Sequence, residues 1–134
     1  MFLSPTSDVG AAVDLARTVD VAIVVGGTTS GESADRPNLS LDSGADALIA
    51  AVAAAAPKTV ALVTAPGAFL TPWRAEVAAA AVLFLGGQES GSAWADVLFG
   101  DVAPTGRLPI TLPASDRIGP STTPSPSPSP SPSP

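Results

Sequence analysis

One acidic side chain is a candidate for chemistry because of its position in the sequence. Residues 21–25 form a short, apolar, β-branched run, which is typical of a strand that is covered on both faces. Gly26, Gly27 and Gly31 follow this run and allow the backbone to turn sharply and to approach another group closely. Glu32 comes next, and ligands of open α/β sheets bind beyond the carboxyl ends of the strands. Glu32 is therefore the candidate general acid or base.

Two charged residues follow the glutamate closely and have two interpretations. Asp35 and Arg36 either form a local ion pair that shapes the loop, or serve chemistry, with Arg36 holding Glu32 or a hydroxyl group of a substrate. An exposed ion pair of this kind contributes little to stability. Spacing alone also fits a solvated loop in which Glu32 has no chemical role.

The composition excludes several classes of site and partner. The chain has no histidine and no cysteine, so it holds no Ser-His-Asp triad, Cys-His pair or Cys/His zinc site. We expect neither a metal nor a cofactor. A net charge of −6 with six scattered basic residues argues against nucleic acid and against an acidic membrane surface as partners. No apolar run has the length of a transmembrane helix.

The glycine-bearing loop also invites comparison with phosphate-binding loops. The spacing from Gly26 to Gly31 matches the first part of a Walker A motif, but Glu32 stands where that motif has its lysine. A glutamate there would repel phosphate. The dinucleotide-binding pattern fails as well, because Thr28 occupies the place of its second glycine.

The elements that would position Glu32 are short and alternate in type. The pattern predicts an α/β fold, with a mostly parallel sheet flanked by helices. The predicted elements, in order, are a helix at 8–18, a strand at 20–25, a loop at 26–41, a helix ending near 56, a strand at 58–64, a short helix at 72–76, a strand at 80–85, a helix ending near 99 and an edge strand at 107–112.

Several local signals define the ends and faces of these elements. Ser7 is the predicted cap of the first helix, and residues 43–46 have the spacing of a capping box for the second. Gly100 is expected to end the last helix. Trp73 has two interpretations: it belongs to the core, or it presents an aromatic face to a sugar ring.

The end of the chain differs in kind from the rest. From Ser121 onward it contains only Ser, Thr and Pro, with nothing apolar to bury. Such a segment is predicted to be disordered or to form an extended polyproline helix that acts as a spacer. The sequence therefore predicts a folded domain at residues 1–113 and a Ser/Pro-rich tail at residues 114–134.

Longer motifs through most of the chain resemble the C-terminal α/β domain of glycoside hydrolase family 3, the family of many β-glucosidases. Residues 21–36 resemble its strand, its Ser-Gly-Glu loop and its Asp-Arg pair. Residues 39–41 and 59–63 resemble its Leu-x-Leu step and its next strand. Residues 87–113 supply the most specific part: a Gly-Gln-Glu turn, an Ala-Asp-Val-Leu-Phe-Gly helix end and a Pro-x-Gly-Arg-Leu-Pro-x-Thr-x-Pro exit.

The resemblance implies a retaining glycosidase reaction on β-linked glucosides or oligosaccharides. In that family an aspartate on a separate barrel domain is the nucleophile, and a glutamate at the position of Glu32 serves as general acid and then as general base. Asp35 and Arg36 would bind substrate or orient Glu32. Since no barrel is present in the sequence, we expect a truncated family member that is inactive alone. The alternative is a non-catalytic carbohydrate-binding or accessory α/β module.

Overall fold

The computed structural model describes residues 8–116 and contains three helices, three strands and one short 3₁₀ turn. The elements are α1 (Val9–Ala16), β1 (Ala22–Gly27), the 3₁₀ turn (Asp42–Gly44), α2 (Ala45–Ala55), β2 (Thr59–Thr64), β3 (Ala79–Leu83) and α3 (Ser90–Phe99). The predicted Ser/Pro-rich tail from residue 117 onward and the proposed cap Ser7 lie outside the described residues.

The three strands form one parallel sheet in the order β1-β2-β3. In the register, Ala22 lies beside Thr59 and Val60 lies beside Ala79. The run at 59–64 is central, which explains why four of its residues are almost completely buried, namely Thr59, Ala61, Leu62 and Val63. The predicted α/β class, a parallel sheet flanked by helices, is confirmed.

The core lies between the sheet and α2, with α1 packed against α2. Ala22 and Val24 of β1 are buried on this face, whereas Ile23 between them is half exposed, as alternation along a strand requires. Gly26 continues the buried row, and a Cβ there would lie 3.1 Å from Leu41 and 3.3 Å from Ala45. Glycine therefore lets α2 begin close to the sheet.

The opposite face of β1 and the last helix are much less covered. Val25 is 61% exposed and Phe99 is 81% exposed. No residue of α3 is buried. Among residues 8–116, no helix is both long and apolar enough to cross a membrane.

The capping box predicted at residues 43–46 does not form. Gly44, in a left-handed conformation with φ of 71°, precedes α2, and no side chain caps it. The carboxylate of Asp46 instead accepts hydrogen bonds from the Leu41 amide at 2.8 Å and from the Trp73 indole Nε1 at 2.7 Å. A tertiary contact has taken the acceptor that a local cap would use. Helix α1, by contrast, is capped by Asp8.

Two further predicted elements, the short helix and the edge strand, do not form. Residues 72–76 form turns rather than a helix, and residues 107–112 form no strand. The amide of Thr71 donates to the Pro113 carbonyl oxygen at 2.8 Å, and Arg74 Nη1 donates to the Leu112 carbonyl oxygen at 3.4 Å. Leu112 is buried there. The exit segment thus packs on the β2–β3 connection and does not extend the sheet.

Candidate active-site loop

The loop that carries Glu32 leaves the carboxyl end of β1 and returns to the start of α2. At its base, the backbone of Gly27 passes very close to β2, and a Cβ on it would lie 2.9 Å from the Thr64 carbonyl oxygen. The Thr28 amide continues the ladder by donating to that same carbonyl oxygen at 3.1 Å. Residues 28–42 therefore start from a fixed point at the edge of the sheet.

Asp42 closes the two ends of this loop. Its Oδ2 accepts hydrogen bonds from the Thr29 amide at 2.7 Å and from the Thr29 hydroxyl at 2.9 Å. These bonds, with the backbone amide contributing most, lower the pKa of Asp42 from its ordinary value of 3.8; the Arg36 guanidinium contributes in the same direction. Asp42 is therefore held as a carboxylate.

Arg36 makes a second connection from the middle of the loop. Its Nη1 donates to the Thr28 hydroxyl at 3.2 Å, and its Nη2 donates to the Ala68 carbonyl oxygen in the β2–β3 connection. The side chain is half buried. The guanidinium thus joins the loop to its own base and to a segment 32 residues away.

Glu32 lies between these connections, at the tip of a tight turn. Gly31 and Ala34 form an isolated antiparallel bridge, in which the Ala34 amide donates to the Gly31 carbonyl oxygen at 3.4 Å. Ser33 has a φ of 59°, which completes the turn. Glu32 is exposed. The turn therefore holds the side chain of Glu32 on the surface of the chain.

The loop encloses an open cleft of about 360 Å³. Asp35 and Arg36 line it, together with the polar side chains of Thr29, Asn38 and Asp42. Glu32 is not among the lining residues, although its neighbours Gly31 and Ala34 are. The folded loop therefore brings Asp35 and Arg36 into one cleft, and Glu32 lies on the turn beside it.

The proposed ion pair between Asp35 and Arg36 is absent in the part of the chain that the structure describes. There the one ion pair within 4.0 Å joins Arg17 and Asp14 on α1. Within residues 8–116, Arg36 also makes no hydrogen bond to Glu32. The guanidinium serves the loop backbone and the Thr28 hydroxyl instead. Nor does any group of three His, Cys, Asp or Glu side chains there lie close enough to hold a metal ion.

Trp73 belongs to the core, as the first of its two interpretations held. It is 2% exposed, and its indole is fixed by the hydrogen bond to Asp46. It offers no aromatic face to a sugar ring.

The residue that sequence reasoning missed is Asp42. Its partner Thr29 lies 13 positions earlier, which matches no local spacing of helix, strand or turn. The available signal was an acid directly before the turn into α2, opposite two threonines that follow β1. That signal becomes specific only when the register places both ends of the loop at the same edge of the sheet.

Comparison with known proteins decides the family. Residues 6–131 match the model of the glycosyl hydrolase family 3 C-terminal domain. The chain belongs to glycoside hydrolase family 3. The match extends past residue 113, the predicted end of the folded domain.

Family 3 relatives of this chain are β-glucosidases. A probable β-glucosidase J of Emericella nidulans is 39% identical over 108 residues, covering 79% of this chain and 13% of the relative. A β-glucosidase of Rhizobium radiobacter is 40% identical over 114 residues, covering 81% and 14%. A β-glucosidase structure from Streptomyces venezuelae, in complex with D-glucose, has a TM-score of 0.75 and 37% identity, covering 80% and 14%.

These shares show how much of a family 3 enzyme the chain represents. It spans about one seventh of the length of the relatives it matches. The matched part is the C-terminal domain.

Proposed function

We propose that this chain supplies the acid/base half of a retaining β-glucosidase, with Glu32 as the catalytic residue. The other half, an aspartate nucleophile, belongs to a barrel domain that acts as its partner. In this proposal the folded part of the family 3 domain is residues 1–113, and residues 114–134 are a Ser/Pro-rich tail.

The chemistry asks Glu32 for two proton transfers. Protonated Glu32 gives its proton to the glycosidic oxygen while the partner's carboxylate attacks the anomeric carbon and the bond to the leaving group breaks. The resulting Glu32 carboxylate then takes a proton from water, whose oxygen attacks the same carbon, breaks its bond to the partner's carboxylate and releases the sugar. The two carboxyl groups must lie about 5–5.5 Å apart, so Glu32 has to extend from its own domain towards the partner.

One observation carries the proposal: Glu32 is exposed at the tip of a turn whose loop is anchored on both sides. The anchors are the Asp42 carboxylate and the Arg36 guanidinium. A solvated loop without function has no need of two such connections. An exposed acid on an anchored loop suits delivery to a neighbouring domain.

The family and the cleft support a proposal for the substrate class. Relatives of this chain are named β-glucosidases, and one was determined with D-glucose bound. We propose β-linked glucosides as substrates. Asp35 and Arg36 line the cleft beside Glu32, so we propose that they contact sugar hydroxyl groups or orient the acid.

A chimera tests the proposal. Residues 8–116 of this chain replace the matched segment of the Streptomyces venezuelae β-glucosidase, and hydrolysis of an aryl β-glucoside is measured. We expect the chimera to be active, the 134-residue chain alone to be inactive, and Glu32→Gln to lower kcat/KM of the chimera about 10²–10⁴-fold. The matched control is Glu76→Gln, because Glu76 is also exposed but lies in the β2–β3 connection.

The variant also distinguishes an acid/base role from a structural one. A dinitrophenyl leaving group needs no protonation, so Glu32→Gln should still form the glycosyl-enzyme intermediate from that substrate. Azide needs no general base, so it should restore turnover and give β-glucosyl azide. Full activity of Glu32→Gln, or turnover by the chain alone, would refute the proposal. A folded but inactive wild-type chimera would favour the accessory-module alternative.

A further inference from the structure

The part of the Glu32 loop that can move freely is shorter than the number of residues in the loop. Fourteen residues, 28–41, separate β1 from the 3₁₀ turn before α2, but side-chain bonds divide them. The Asp42 carboxylate joins the two ends at Thr29, and the Arg36 guanidinium joins the middle to Thr28 and Ala68. The segment that remains between these connections is residues 30–35.

We propose that Asp42 is a positioning residue for Glu32, which it serves by closing the base of the loop through Thr29. This inference rests on the proposed function for its catalytic meaning, and on the geometry alone for its structural part. Asp42 lies ten positions from Glu32 and acts on it only through the backbone. With Asp42 in place, the short turn at 31–34 moves as a unit that pivots near residues 30 and 35.

Chain geometry shows what this closure limits. An extended chain advances at most about 3.3–3.6 Å per residue. Glu32 is two Cα–Cα steps from the pivot at Ser30, so its backbone stays within about 7 Å of that point. Were the base at Thr29 released, the pivot on this side would retreat only to Thr29, because the Thr28 amide stays bonded to the Thr64 carbonyl oxygen, and three Cα–Cα steps would allow about 10 Å. Glu32 and the partner's nucleophilic carboxylate must stay about 5–5.5 Å apart. The smaller range of the Glu32 backbone suits that requirement better.

Two threonines and one charged group, the Arg36 guanidinium, determine how the closure depends on pH. Thr28, Thr29 and Arg36 face its carboxylate and favour its charged form. A carboxyl group whose pKa is depressed on folding gives its stabilisation above the unfolded pKa, here 3.8, and loses it as the pH falls through the folded pKa. The loop should therefore stay closed near neutral pH and open only below about 3.8.

Limited proteolysis of the full chain tests the closure without any catalysis. Glutamyl endopeptidase cleaves after Glu32, Glu76 and Glu89, which are the three glutamates of the chain. Cleavage of a native protein reports the population of the locally opened form when opening and closing are fast. We expect Asp42→Ala to raise the cleavage rate at Glu32 about tenfold, the factor that one hydrogen bond to a charged group contributes, and to leave Glu76 and Glu89 unchanged.

Two companion variants make the test specific. Asn38→Ala removes the hydrogen bond from the Ser40 amide, which lies within the loop and does not join its ends, so its cleavage at Glu32 should match that of the wild type. Asp42→Asn keeps one oxygen for Thr29 and should restore part of the protection. Its cleavage at Glu32, relative to a reference peptide at each pH, should not change between pH 5 and pH 3, whereas that of the wild type should rise.

The outcomes separate this inference from the proposed function. Unchanged cleavage at Glu32 in Asp42→Ala would overturn the positioning role. Equal acceleration at all three glutamates would also overturn it, because it would make Asp42 a contributor to global stability. In the active chimera, Asp42→Ala should lower kcat severalfold with little change in KM. If Asp42→Ala opens the loop while Glu32→Gln leaves the chimera fully active, the positioning geometry stands and the proposed function fails.

Discussion

Asp46 should be the most consequential charged residue for the stability of this domain. Its carboxylate accepts one hydrogen bond from the Trp73 indole and one from the Leu41 amide, and so joins the β2–β3 connection and the end of the Glu32 loop to the first turn of α2. Trp73 is 2% exposed and Leu41 is 4% exposed. Asp46→Ala leaves both donors without this partner in a place that water hardly reaches.

The size of the effect follows from these contacts. Leaving a buried donor unsatisfied costs about 1–3 kcal/mol, and removing an acidic residue from the first turn of a helix costs about 0.3–1 kcal/mol more. We expect Asp46→Ala to lower the free energy of unfolding by about 2–4 kcal/mol. At about 4–8 °C per kcal/mol for a domain of this size, Tm should fall by about 8–32 °C.

Urea denaturation followed by tryptophan fluorescence measures this difference, since the chain has only Trp73 and Trp94. The matched control is Asp14→Ala, because Asp14 pairs with Arg17 at 2.8 Å on the open surface of α1 and should change stability by less than about 0.5 kcal/mol. Asp46→Asn keeps one acceptor and should give an intermediate loss if Asp46→Ala does not fold. A change in Asp46→Ala no larger than that of the control would refute the reasoning.

Two further predictions concern the sheet. Gly27→Ala should cost about 1–3 kcal/mol in urea denaturation, since its Cβ would meet the Thr64 carbonyl oxygen at 2.9 Å, whereas Gly67→Ala, with nothing within 4 Å, should not destabilise; equal stability of the two would contradict this. The 134-residue chain should be marginally stable or should self-associate, because β1 is an edge strand of the sheet that residues 8–116 form and Val25 is 61% exposed. Val25→Lys should then reduce any association in sedimentation. A wild-type monomer with a sharp, cooperative thermal transition would count against it.

Much of the fold could be predicted because its strands are continuous apolar runs and its helices have one apolar face. The strands predicted at 20–25 and 58–64 correspond to β1 and β2, and the helix predicted to end near 99 stops at Gly100 in a left-handed conformation. Periodicity is a local property, and burial on both faces of a central strand leaves a clear trace in sequence. The parallel arrangement then follows from the alternation of strand and helix.

Two of the wrong predictions have a tertiary cause. The capping box at 43–46 assumed a local partner for the Asp46 carboxylate, and the strand at 107–112 assumed that the segment would extend the sheet. In the structure Asp46 bonds to Trp73, and the exit segment bonds to the β2–β3 connection through Pro113 and Thr71. Residues 72–76 keep local bonds, but as turns. A propensity read in a short window contains no information about such competitors.

The sequence by itself determined the chemical possibilities of this protein. The absence of histidine and cysteine leaves Asp, Glu, Lys and Arg as its acid/base groups, and the motifs around Glu32 and at residues 87–113 identify the family. Only the tertiary structure decided that Trp73 is core, that Arg36 anchors the loop and that Asp42 closes it. The physical reason is that residue type and order along the chain are local, whereas hydrogen bonds across 13 or 32 residues exist only after the sheet has brought their ends together.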